Sequence, residues 1–181
     1  MRVVAGIRRG LRLADFEGRG IRPTTDRIKE NIFNIIAPYV PEADVLDMFA
    51  GTGAMAIEAL SRGARSAALY ELAEASAAVV RENIKRAGFE NECTLVMGDS
   101  IALAKKASEK FDIIFMDPPY NTGLLEKALR VTAEFGLLAD GGIAVAECDG
   151  PEKPDGIEGL ELIKEKKYGR SCILVYTKGQ Q

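Results

Sequence analysis

From residue 43 to residue 148, short apolar runs alternate with stretches in which apolar positions recur every three or four residues. A short apolar run bounded by turn residues predicts a buried strand, and the three-to-four spacing predicts an amphipathic helix. Strands are expected over Ala43–Phe49, Ser66–Glu71, Cys93–Met97, Phe111–Met116 and Gly142–Cys148. Helices are expected over Ala54–Ser61, Leu72–Ala87, Ser100–Glu109 and Leu124–Phe135. In the second of these, Leu72, Ala75, Val79 and Val80 form the inward face and Gly88 is the stop. Strands separated by crossover helices of this length predict an α/β fold, a mostly parallel sheet with helices on both faces. The tail adds Glu161–Glu165 and Ile173–Tyr176 as a pair of edge strands.

Ahead of this core, Val3, Val4, Ile7, Leu11 and Leu13 alternate around Gly6 and Gly10, the pattern of a short hairpin. Thr24-Thr25-Asp26 after Pro23 predicts a helix start, with Ile28, Ile32, Ile35 and Ile36 inward and Pro38 and Pro41 ending it. The organisation expected is one domain over residues 1–181: an arm at 1–20, a helix at 24–38 and a Rossmann-like core at 43–181. Asp149–Gly156 is rich in Pro and Gly and reads as a loop within that domain.

Composition narrows the chemistry. The chain has 47% hydrophobic and 28% charged residues, ordinary for a soluble globular protein. No apolar stretch reaches the roughly 18–20 residues of a membrane helix, and MRVVAGIRRG lacks the apolar centre of a signal peptide, so a cytoplasmic location is expected. There is no histidine, which excludes Ser-His-Asp and Cys-His hydrolases. Cys93, Cys148 and Cys172 form no CxxC pair, and no metal is expected. The net charge of −3 is unevenly spread: residues 1–30 hold eight cations against four carboxylates, which makes +4 and leaves −7 for the remainder. A basic arm on an acidic body suits contact with a polyanion, or an edge strand guarded by arginines.

Each of the first four sheet strands leads into an acid: Asp47, Glu71, Asp99 and Asp117. Ligands of open α/β sheets sit beyond the carboxyl ends of the strands, near the point where strand order reverses. Glu147, at the end of the fifth strand, reads as a solvated strand end. The loop Asp47–Ala54 (DMFAGTGA) follows a strand and opens a helix, and its Gly51 and Gly53 permit a tight turn against a ligand. GTGAMA also satisfies the dinucleotide pattern, with Glu71 placed to hold ribose hydroxyls, so a nicotinamide enzyme is a rival. Asp47 sits poorly beside a pyrophosphate and well beside an ammonium, and Asp99 can accept from an adenine amine. Ammonium, ribose diol and adenine amine in that order describe S-adenosyl-L-methionine. The candidate cofactor residues are Asp47, Phe49, Ala50, Gly51, Thr52, Gly53, Glu71, Asp99, Ser100 and Thr24.

The run FMDPPY at 115–120 supplies the reaction. An exocyclic amine on a base is a poor nucleophile because its lone pair is delocalised into the ring. Asp117 and the carbonyl of Pro118 can hold both N–H groups, and Pro118 and Pro119 fix the backbone that aims them. Tyr120 offers a face for stacking a base, worth roughly 1–3 kcal/mol. Asp117, Pro118, Pro119 and Tyr120 are therefore the candidate catalytic residues.

In this order DMFAGTGA, Glu71, Asp99 and DPPY resemble class I S-adenosylmethionine-dependent methyltransferases acting on exocyclic amines. More narrowly, Arg22–Arg27 (RPTTDR), the helix KENIFNIIAP, Gly6-x-x-Arg9-Gly10-x-x-Leu13, ALSRGA at 59–64 and Tyr168-Gly169 resemble the bacterial RsmD family, nearly end to end. That resemblance implies a seven-stranded sheet with its last strand antiparallel, and methylation of a guanine N2 in 16S ribosomal RNA. It implies that Arg22–Thr25 approach the methionine end of the cofactor or the target nucleotide, and that Arg9 and Arg12 contact phosphates. It makes the small ribosomal subunit or its 16S rRNA the partner of a monomer. The alternatives are an N6-adenine DNA methyltransferase, for which the chain has no spare recognition region, and a non-catalytic RNA-binding assembly factor that retains the fold.

Overall fold

The computed structural model describes residues 1–15, 26–150 and 153–179. Seven strands form one sheet: β1 (Asp44–Asp47), β2 (Ser66–Glu71), β3 (Cys93–Met97), β4 (Phe111–Met116), β5 (Leu138–Asp149), β6 (Leu160–Tyr168) and β7 (Ser171–Lys178). Their order is β3-β2-β1-β4-β5-β7-β6, with the first five parallel and β7 antiparallel to both of its neighbours. The chain winds outwards from β1 to β3, then returns to start β4 on the other side of β1. The reversal of strand order thus lies between β1 and β4.

The helices are α1 (Asp26–Ile36), α2 (Ala54–Ser61), α3 (Glu74–Ala87), α4 (Ser100–Ala104) and α5 (Leu124–Glu134), with a 3-10 turn at Ala37–Tyr39. One face of the sheet packs against α1, α2 and α3 through Phe33, Ile57, Leu60, Val80 and Ile84. The other packs against α4 and α5 through Ala104, Leu125, Ala128 and Leu129. Burial on both faces explains why the parallel strands are continuous apolar runs. Among the described residues no helix is long and apolar enough to cross a membrane.

Several expectations are corrected. Leu72 and Ala75 are exposed, and α3 turns Ala77, Val80, Asn83, Ile84 and Ala87 inward; the helix begins at Glu74, so its apolar stripe is set one turn later. The expected helix at 100–109 stops at Ala104. Ile173–Tyr176 lies inside β7, between β5 and β6, and only β6 is an edge of that pair. The Thr24-Thr25 cap falls outside the described residues.

The N-terminal hairpin is present as one antiparallel bridge, Arg2 to Arg12, supported by Val3 N–H to Leu11 O at 2.9 Å and Gly10 N–H to Val3 O at 2.8 Å. It docks on α2 and α3. Glu58 of α2 is fully buried and accepts from the amides of Val4 (2.7 Å) and Ala5 (3.0 Å), while pairing with Lys29 (3.3 Å) and Arg62 (2.7 Å). Lys29 also donates to the Arg2 carbonyl. Gly6 has φ +81°, and a Cβ there would lie 1.7 Å from the Ser61 carbonyl oxygen, so only glycine lets the arm approach this closely.

Candidate active site

The loop between β1 and α2 is shaped by backbone contacts. Ala50 N–H reaches the Tyr70 carbonyl at 3.0 Å, and Gly53 N–H closes on the Ala50 carbonyl at 2.7 Å. Gly53 has φ +76°, and a Cβ would press on Leu69 and Val80 at 3.3 Å, so the turn packs down on β2 and α3 only as glycine. Thr52 is buried, its hydroxyl 3.7 Å from the Met1 sulfur, and its carbonyl accepts from Asn83 Nδ2 at 2.9 Å. The same amide pairs with Ala14 in both directions, through Oδ1 (2.6 Å) and Nδ2 (3.0 Å). Asn83 therefore fastens the arm to the glycine loop. Ala50 is buried, and Phe49 is half-buried against the α4/α5 face.

Asp47 ends β1 with its side chain buried, Oδ1 accepting from Phe49 N–H at 3.3 Å. Burial first, and the nearby Glu71 charge to a smaller extent, push its carboxyl up to about 7. A cationic group at this position would draw the acid back to carboxylate. Glu71 ends β2 and spans two turns, accepting from Gly51 N–H at 3.1 Å and Ala73 N–H at 2.8 Å. A carboxylate has about four acceptor positions, which leaves capacity for a diol. Asp99 is exposed and caps α4, Oδ1 accepting from Ala102 N–H at 2.8 Å. Ser100 turns inward, its hydroxyl donating to the Met48 carbonyl, so it braces the β3–α4 turn against the β1 loop. A buried acid, a bidentate acid and a loop of bare backbone fit an ammonium, a ribose and a close-lying ligand.

β4 brings the DPPY turn alongside. Phe115 pairs in register with Asp47, and Met48 N–H donates to the Phe115 carbonyl at 3.0 Å, so Asp117 lies two residues beyond the partner of Asp47 at the strand reversal. Asp117 and Pro119 are exposed and Pro118 is buried. The turn is closed by Thr122, whose hydroxyl donates to the Pro119 carbonyl at 2.6 Å. Asn121 takes φ +60°, a left-handed conformation that Asn tolerates better than most residues. Tyr120 exposes part of its ring and donates its hydroxyl to Glu147 Oε1 at 3.3 Å.

Glu147 is the correction within the site. Instead of a solvated strand end it is buried, at 6% exposure, and holds the aromatic ring of Tyr120. Its neighbours along β5 are apolar, and that setting was the available signal. Asn83 and Glu58 also stand outside the expected site residues, although a polar residue on an apolar helix face marks each. Arg9 and Arg12 are exposed on the arm. Arg22 and Thr24 lie outside the described residues.

The family model described as Conserved hypothetical protein 95 matches residues 1–177. Curated relatives named Ribosomal RNA small subunit methyltransferase D are similar over almost their whole length. That of Haemophilus influenzae is 33% identical over 97% of this chain and 93% of its own, and that of Escherichia coli K12 is 32% identical over 100% and 91%. The chain belongs to the RsmD family. Among solved structures, the Escherichia coli protein yhhF superimposes on this family member with a TM-score of 0.90 and 31% identity, covering 100% of this chain and 99% of the other. The seven-stranded, Rossmann-like class I architecture expected for an RsmD protein is the one observed.

Proposed function

We propose that the protein transfers the methyl group of S-adenosyl-L-methionine to the N2 amine of a guanine in 16S ribosomal RNA. The observation that carries this reading is the placement of Asp117–Tyr120 beside Asp47 and the glycine loop, at the reversal of strand order. Ligands collect there in open α/β sheets. The names of the curated relatives supply the class of substrate.

Bound S-adenosylmethionine supplies an electrophilic methyl carbon on a sulfonium. Asp47 would meet its ammonium, Glu71 its ribose hydroxyls and Asp99 its adenine amine, with Gly51–Gly53 beneath. Each charge-assisted hydrogen bond of this kind contributes roughly 1.5–3 kcal/mol. Tyr120 stacks the flipped guanine. Asp117 and the Pro118 carbonyl accept from the N2 amine, which localises its lone pair, and Asp117 stabilises the positive charge that develops on nitrogen. Its carboxylate can take the proton that leaves. The exposed Arg9 and Arg12 hold phosphates, and Arg22 and Thr24 act at the methionine end or on the target nucleotide. The partner is the small subunit or its 16S rRNA, met by a monomer in the cytoplasm, without a metal.

Isothermal titration with S-adenosylhomocysteine and with NADH tests the cofactor. Binding of the first and not the second is expected; the reverse would restore the nicotinamide alternative.

A further inference from the structure

The β6–β7 hairpin carries a basic strip that the chemistry above leaves unused. Over residues 164–170, Lys164, Lys166, Lys167 and Arg170 stand against Glu165, a surplus of three cations on a chain whose net charge is −3. Glu165 pairs with Lys153 and, at 3.8 Å, with Lys167, and Arg170 pairs with Asp149 at 2.9 Å while its side chain stays 85% exposed. Lys164 and Lys166 are exposed.

The sheet register locates this strip. Glu147, Ile173 and Lys166 form one row across β5, β7 and β6, and directly opposed residues share a face. Two strand spacings put the Lys166 backbone roughly 10 Å from that of Glu147, whose carboxylate holds Tyr120. Lys164 opposes Val175 and points to the same side as Lys166. β5 and β6 both run antiparallel to β7, so they end at the same rim, the rim that carries the DPPY turn.

Lysines on an edge strand also guard against edge-to-edge pairing. A guard would serve along the whole of β6. Here the first residues of the strand hold Glu161 and no cation, and the positive charge gathers over Lys164–Lys167 and the turn, next to the site. The N-terminal arm docks on α2 and α3 with its tip against their C-terminal ends at Ser61 and Ala87, so the strip on β6 is a basic surface separate from the arm.

We propose that Lys164, Lys166 and Arg170 bind phosphates of the RNA strand flanking the target base. This rests on the methyl transfer to RNA proposed above, and it gives the substrate a second hold beyond the arm. The test is Lys164→Glu with Lys166→Glu, which keeps the edge charged and so preserves any guard. Methyl transfer to unmodified small subunits should show a KM raised at least tenfold. The log–log salt slope for binding a 16S rRNA fragment should fall by roughly 1.5, as for two lost single-strand phosphate contacts. Affinity for S-adenosylhomocysteine should equal that of the wild type, which reports an intact fold. Should the doubly reversed chain misfold, Lys166→Gln alone is expected to raise KM about threefold. Unchanged KM and salt slope in a variant that binds S-adenosylhomocysteine normally would overturn the surface while leaving the methyltransferase intact. A wild-type protein that binds S-adenosylhomocysteine but neither binds nor methylates small-subunit RNA would overturn both.

Discussion

The phenol of Tyr120 donates to Glu147 Oε1 across 3.3 Å, joining the turn after β4 to the interior of β5. Burial, then the charges of Glu147 and Asp117, push this phenol up to about 12. At neutral pH it is a donor and an aromatic surface, not a base. Glu147→Ala should free the ring and lower kcat about tenfold, or about 1.4 kcal/mol, with unchanged affinity for S-adenosylhomocysteine. Glu147→Gln keeps an acceptor and should retain most of the activity. Equal kcat in wild type and Glu147→Ala would mean that the hydrogen bond does not position the ring.

The role proposed for Asp117 acts at the barrier. Asp117→Ala is expected to slow single-turnover methyl transfer at least a hundredfold, about 2.7 kcal/mol. Calorimetry should find cofactor affinity nearly unchanged, because the contacts proposed for that ligand lie at Asp47, Glu71 and the glycine loop. Wild-type rates in this variant would remove Asp117 from the mechanism.

If Asp47 meets the cofactor ammonium as proposed, cofactor binding should depend on pH. Its carboxyl is raised from 3.8 to about 7 in the folded chain, so between those values the native state keeps a proton that the unfolded state has lost. Its contribution to stability is present at low pH, falls as pH rises through that window and is lost above about 7. A ligand ammonium requires the carboxylate and must expel the proton. Affinity for S-adenosylhomocysteine should therefore rise by up to tenfold per unit from about pH 5.5 to 7 and then level. Asp47→Asn should bind weakly with a flat profile over the same range, read from Kd in a series of buffers.

Glu58 holds the arm, and its loss should be felt in stability. Burial pulls the Lys29 amine below its ordinary range even with Glu58 beside it, and Glu58→Ala would strand that amine along with the Val4 and Ala5 amides. Removing one partner of a buried pair costs about 3–5 kcal/mol. In a chain of this length that lowers Tm by roughly 6–20 °C. Thermal unfolding followed by circular dichroism checks it.

Much of this was legible in the sequence, for a physical reason. A parallel strand buried on both faces is an apolar run with sharp ends, and the strands Ser66–Glu71, Cys93–Met97 and Phe111–Met116 match their expected bounds to the residue. Helix α3 was harder. Leu72 looks like the start of its stripe but lies 68% exposed in the turn before it, because the strand-end acid Glu71 bonds Ala73 N–H and delays the helix. The acids at the strand ends were visible; their states were not. Asp47 ends β1 and Asp117 directly follows β4, yet one is buried and the other exposed, a difference set by neighbours distant in sequence. Glu147 shows the same limit. Its partner Tyr120 lies twenty-seven residues away, and only the β4–β5 pairing brings them together.

The most direct test is transfer of tritiated methyl from S-adenosylmethionine onto small ribosomal subunits lacking the modification, with the labelled nucleoside identified after digestion by mass spectrometry. The expected product is N2-methylguanosine in 16S rRNA, formed by the wild type and lost in Asp117→Ala. Label in an adenine N6, in DNA, or in no nucleic acid would contradict the account.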